Sequence, residues 1–129
     1  LTGSQILRGK LISLATASIL DTDHSPLRVA AASFVYNLAV FNHNPRWEGE
    51  PDPLTEETQV ELTAALAEGI AQETESEALR GMFSAMGLLI YEAPIDGEVA
   101  ELCRVMGLGD IVRGKQGGEE IGQLLQNGL

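Results

Sequence analysis

The chain has a single cysteine, Cys103, which excludes an internal disulfide and suits a reducing compartment. It is poor in cations: eight Lys and Arg stand against 19 Asp and Glu, for a formal charge of −11. Phosphate backbones and anionic membranes are held by clustered Lys and Arg, so neither nucleic acid nor a membrane surface is the expected partner. No apolar run approaches the length of a membrane span, and no basic stretch followed by an apolar one marks a signal peptide. Only 5% of residues are aromatic and runs of β-branched residues are few, which favours helices packed through small and medium side chains.

The groupings that catalysis and metal binding need are also missing. His24 and His43 have no Cys or carboxylate at a spacing that suits a metal. Cys103 falls on the core stripe of a predicted helix, where a thiol is inert, so it makes no nucleophilic pair with either histidine. The segment from Gly114 to Gly118 lacks the preceding strand of a phosphate-binding loop. No enzymatic activity, metal or cofactor is expected.

What is present is helical pattern. A chain of 129 residues fits one domain with a sizeable core. The stretch from Pro26 to Phe41 has Arg28, Ser33 and Asn37 as its only strongly polar members, and a helix apolar nearly all round reads as a central rod wrapped by others. Before it, Leu7, Leu11, Leu14, Ala15 and Ser18 form the stripe of a helix over 5–20, with Ile6, Ile19 and Leu20 beside it and Ser4 as its N-cap, and Ser25 and Pro26 open the rod. Three prolines and a glycine in 43–53 forbid a continuous helix and leave Trp47 in a loop, either folded onto the core or serving as an interface anchor.

Thr55 with Glu56 and Glu57 starts an amphipathic helix whose buried face is Leu62, Ala65, Leu66, Gly69 and Ile70. Thr74 and Glu77 form a capping box for a helix to about Tyr91, with Leu79, Met82, Phe83, Met86, Leu89 and Ile90 inward. Pro94 opens another with Val99, Leu102, Cys103, Val105 and Met106 on its core face, closed by Gly107 in a left-handed conformation. A turn of helix over 110–113 and a last helix over 119–126 complete the count. The expectation is an all-α fold of six to seven helices. Leu27-Arg28 and Leu79-Arg80 each sit near the start of an apolar helix preceded by an amphipathic one, a weak echo pointing to a short α-solenoid of armadillo type.

Three stretches carry a family likeness. The run Leu27-Arg28-Val29-Ala30-Ala31-Ala32-Ser33-Phe34-Val35-Tyr36-Asn37-Leu38-Ala39-Val40 resembles the apolar helix with a central asparagine in the PUL domain, found in phospholipase-activating-protein homologues and in fungal thioredoxin-like and desumoylase-like proteins. The likeness continues through the run from Glu77 to Ile90 and again from Val99 to Leu108. It spans nearly all of this chain but only about the C-terminal half of a full PUL domain, and the first residues, Leu1 to Gln5, read as the interior of something longer.

The resemblance implies an armadillo-like fold. It also implies an adaptor role in ubiquitin-dependent turnover, in the cytoplasm or nucleus. The partner it implies is the acidic, tyrosine-containing C-terminal tail of valosin-containing protein, a hexameric AAA unfoldase. Basic residues on the concave face contact the tail in that family, and Arg80 matches one of them. The net charge of this chain departs from that pattern.

The residues allow a second reading throughout. Arg80, Ser84, Gly87 and Tyr91 follow helical spacing, a stripe of one cation, small residues and an aromatic that suits a peptide track. Arg80 alternatively pairs with Glu68, Glu73 or Glu77. Asn37, with Ser33 one turn before it, either clamps a peptide backbone or is a core amide satisfied internally. Arg28 is expected to be a solvated residue at a helix start. Against the peptide-binding adaptor stands a packing or oligomerisation module of a larger protein, which an exposed apolar face on the first helix would favour.

Overall fold

The computed structural model describes residues 3–42, 55–91, 97–113 and 115. Among them are six helices: α1 (Gly3–Ile19), α2 (Ser25–Asn42), α3 (Glu56–Gln72), α4 (Ser76–Tyr91), α5 (Glu98–Met106) and α6 (Leu108–Arg113). The described residues contain no strand. The all-α expectation therefore holds. Trp47, His43, Pro94 and the expected helix over 119–126 lie outside the described residues.

Local chemistry sets several boundaries. Thr55 caps α3, its hydroxyl accepting the Thr58 N–H at 3.1 Å, while Glu56 and Glu57 occupy the positive end of the helix dipole. Gly107 ends α5 at φ 66°, the left-handed conformation that costs other residues about 1–2 kcal/mol. The expected Thr74–Glu77 capping box does not start α4. The helix begins at Ser76, and the N–H groups of Thr74 and Glu75 are instead taken by the Glu73 carboxylate, each at 3.1 Å. Similarly, α2 starts around His24, whose carbonyl accepts from Leu27 and Arg28, so Ser25 lies inside the helix.

The helices form hairpins that stack in parallel. α1 and α2 pack as one pair and α3 and α4 as the next. α1 lies along α3 near both C-terminal ends, where a Cβ on Gly69 would stand 2.8 Å from Ile19 Cγ2. α2 lies along α4, with Ala32 against Gly81. The α5 start meets the α3 start, since the Glu98 N–H donates to the Glu56 carboxylate at 3.3 Å. Like helices thus follow one another in rows, the build of an α-solenoid. The helix that touches α1, α4, α5 and α6 alike is α3, not the expected rod α2. Leu62, Leu66, Ile70, Met82 and Met86 are fully buried around it. Burying each such side chain contributes roughly 1.5–3 kcal/mol.

Periodicity misplaced three faces. Leu11 and Leu14, expected inward on α1, are 42% and 63% exposed, whereas Ala15 and Ser18 of the same stripe are buried, with Ile19 and Ile12 beside them. α2 is not wrapped on all sides; it buries Ala31, Ala32, Val35 and Ala39 and leaves Leu27, Tyr36 and Val40 exposed. Val105, expected in the core of α5, is 74% exposed, because that helix buries only Val99, Ala100 and Cys103.

Candidate peptide-binding face

An ion pair fixes how α2 and α4 start together. The Arg28 guanidinium grips the Glu73 carboxylate through two of its nitrogens, Nε at 2.6 Å and Nη2 at 3.1 Å, and its Nη1 donates to the Asp21 carbonyl at 2.8 Å. The side chains keep only 12% and 1% of their exposure, so Arg28 is a buried link between hairpins rather than a solvated helix-start residue. Burial pushes the Glu73 carboxyl up, but the hydrogen bonds from Arg28 and from the Glu75 and Thr74 N–H groups outweigh it and hold the carboxyl below its ordinary range. Lys115 adds a third tie, its Nζ donating to the Glu73 carbonyl at 3.1 Å.

Beyond this clamp the two helices run in parallel from the contact of Ala32 with Gly81. With about 100° per residue, Tyr36, Val40 and Ser33 on α2 stand about 40°, 80° and 100° round from Ala32. On α4, Glu77, Ser84, Tyr91 and Arg80 stand about 40°, 60°, 80° and 100° round from Gly81 in the opposite sense. For parallel neighbours, opposite rotations turn toward the same side, so these seven residues line one strip. All seven are exposed. The other rotation on each helix leads to Val35 and Ala31 and to Met82 and Leu89, all buried.

The structure therefore brings together four of the five residues singled out in the sequence: Arg80, Ser84, Tyr91 and Ser33. It does not bring Asn37 to them. Asn37 is exposed and stands about 140° from the α4 contact, turned toward the open end of the stack. It is neither a core amide nor a neighbour of Arg80. Tyr36 and Val40 take its place, and sequence reasoning missed both because a helix apolar on every side gives periodicity no face to choose. Tyr36 lies three residues after Ser33, a spacing that links them once Ser33 is placed.

Arg80 has none of the partners that would make it merely structural. Glu73 is taken by Arg28, and among the described residues the Arg80 guanidinium makes no ion pair with Glu68 or Glu77. Its carbonyl accepts the Ser84 hydroxyl at 3.0 Å, which turns that hydroxyl back on the helix. Arg28, Arg104 and Lys115 are all engaged elsewhere, by Glu73, by Glu101 and by the Glu73 carbonyl. Cys103 is buried, and that burial pushes its thiol up to about 11, which leaves it protonated and unreactive at neutral pH. The described residues contain no group of His, Cys, Asp and Glu able to hold a metal.

Stacked helical hairpins with an exposed aromatic and cationic strip define a helical-repeat interaction domain, a scaffold whose rows of helices present extended binding surfaces. The chain belongs to the PUL domain family, which matches residues 2–126 and so covers nearly all of it. PUL domains are protein-interaction domains. No curated protein and no solved structure matches the chain.

Proposed function

We propose that this chain is a non-enzymatic adaptor domain whose α2/α4 strip captures the acidic, tyrosine-containing C-terminal tail of the AAA unfoldase valosin-containing protein, serving ubiquitin-dependent turnover in the cytoplasm or nucleus. The observation that carries the reading is Arg80, exposed and without an ion pair among the described residues, on one strip with Ser84, Tyr91, Ser33 and Tyr36. An arginine in that state is free to hold a carboxylate through two parallel hydrogen bonds, and tyrosines beside it offer flat apolar area for the rest of the peptide. Titration of the labelled tail peptide into wild type and Arg80→Ala tests it. Binding that weakens about tenfold in the variant supports the reading; equal affinity, or no binding by the wild type, overturns it.

A second reading is favoured by Leu11, Leu14 and Leu27, which stand exposed on α1 and α2. A terminal repeat that caps a solenoid carries a polar outer face, and here three leucines interrupt the exposed Lys10, Ser13 and Asn37. In that reading the chain is a packing unit of a longer PUL domain, with a further helical hairpin stacked on α1 and α2 and no tail binding of its own. Replacing Leu11 and Leu14 by Glu then leaves the melting temperature of the 129-residue chain unchanged and lowers that of a longer protein carrying such a hairpin. A longer protein indifferent to both substitutions removes the reading.

A further inference from the structure

We propose that the α2/α4 strip pairs with one carboxylate of its ligand, at Arg80 and among aromatic and aliphatic residues, and that each further negative charge on the ligand weakens binding instead of adding to it; this specificity rests on the peptide-binding reading of the strip. Arg80 is the only cation among the seven residues of the strip, whose other members are Tyr36, Val40, Ser33, Ser84, Tyr91 and the anion Glu77. Glu77 lies one turn from Arg80, and Glu75 precedes the helix close by; both are exposed, and neither pairs with Arg80. The remaining described cations of the clamp region, Arg28 and Lys115, are spent on Glu73 and its carbonyl.

A ligand carboxylate at Arg80 gains a charge-assisted pair. A second one meets no free cation on the strip, sits near Glu75 and Glu77, and enters the field of a chain carrying −11. The consequence is an inverted salt dependence. A groove rich in cations binds acidic peptides best at low salt. Here salt screens a repulsion, because the Debye length falls from roughly 30 Å at about 0.01 M to about 3 Å at about 1 M. Highly acidic ligands therefore bind better as salt rises, while a ligand with one carboxylate loses affinity only through its single pair.

The test uses capped peptides that share one leucine and tyrosine framework and carry no, one, three or five glutamates, titrated by fluorescence anisotropy at low and high salt beside the valosin-containing protein tail. The expected order at low salt is the one-acid peptide first, then the three-acid and five-acid peptides, with the gap closing several-fold at high salt. Arg80→Ala should weaken the one-acid peptide to the affinity of the acid-free one. Tyr36→Ala should weaken both. If the tail binds through Arg80 and the five-acid peptide binds tightest at low salt, the site reading stands and this specificity is wrong. If neither the tail nor any framework peptide binds, the two fall together. A sedimentation coefficient that rises with concentration, and stops rising in Tyr36→Ser, assigns the strip to a second copy of the chain and also overturns the proposal.

Discussion

Glu73→Gln is the sharpest probe of the clamp between the two hairpins. The carboxylate accepts four hydrogen bonds: two from Arg28 at 2.6 and 3.1 Å, and one each from the Thr74 and Glu75 N–H groups at 3.1 Å. Glutamine keeps the shape but offers one oxygen and no charge. Its amide NH2 must face either Arg28 Nε, with the loss of one bond, or Arg28 Nη2 and the two backbone donors, with the loss of three, so it turns toward Nε. Hydrogen bonds to charged groups contribute roughly 1.5–3 kcal/mol each, so the Nε bond alone accounts for about 1.5–3 kcal/mol, and the three that remain weaken because their acceptor is now neutral. Arg28 also loses its counter-charge, a cost softened by its 12% exposure and its bond to the Asp21 carbonyl, which brings the expected loss to about 2–4 kcal/mol.

Urea unfolding followed by helical circular dichroism measures that loss, and a cycle with Arg28→Met separates the pair from its surroundings. The two residues touch, so the double substitution should cost about 1.5 kcal/mol or more less than the sum of the singles. Acid supplies an independent check. The folded Glu73 carboxyl titrates below its ordinary value, so its contribution is fully present above about pH 4.3 and is lost as pH falls through the lower folded value. The gap between wild type and Glu73→Gln should therefore shrink below about pH 4. Singles that each cost under about 0.5 kcal/mol, with an additive double, would refute the clamp.

Three further substitutions test the packing. Gly69→Ala places a Cβ 2.8 Å from Ile19 Cγ2 and 3.4 Å from Met82, a branch methyl that cannot swing away; overpacking of about 1–3 kcal/mol exceeds the roughly 1 kcal/mol gained in helix propensity, so the variant should unfold at lower urea. Gly107→Ala meets no neighbour within 4 Å, so a loss of about 1–2 kcal/mol would come from the left-handed backbone alone, and Gly107→Asn should recover part of it. Thr63 is 1% exposed and its hydroxyl has no hydrogen-bond partner among the described residues, so Thr63→Val should raise stability by about 1 kcal/mol in the same urea assay.

Much of the fold was legible because it is written locally. A Thr followed by two Glu, a Gly after an amphipathic run, and apolar residues at i, i+3, i+4 and i+7 placed α3, the end of α5 and the buried faces of α3 and α4, each inside a window of a few residues. The capping box at Thr74 failed for a reason no local rule contains. The residue just before it is tied to Arg28, 45 positions earlier, and the carboxylate so positioned takes the Thr74 N–H that the Glu77 side chain would accept in a capping box, together with the Glu75 N–H.

The two Leu-Arg pairs show the limit most clearly. Arg28 and Arg80 each follow a leucine near the start of an apolar helix, and nothing in their neighbourhoods tells them apart. Arg28 faces the turn between α3 and α4, finds Glu73 and is buried there. Arg80 lies in the first turns of the later of the two parallel helices, exposed, and makes no ion pair among the described residues. By holding Glu73, the first arginine removes one of the three acids that could serve the second as a counter-ion. A variant that breaks the clamp while keeping the carboxylate, such as Arg28→Met, should therefore weaken peptide capture at Arg80 as well as stability. A melting temperature lowered with unchanged affinity for the one-acid peptide would show that the two arginines act independently.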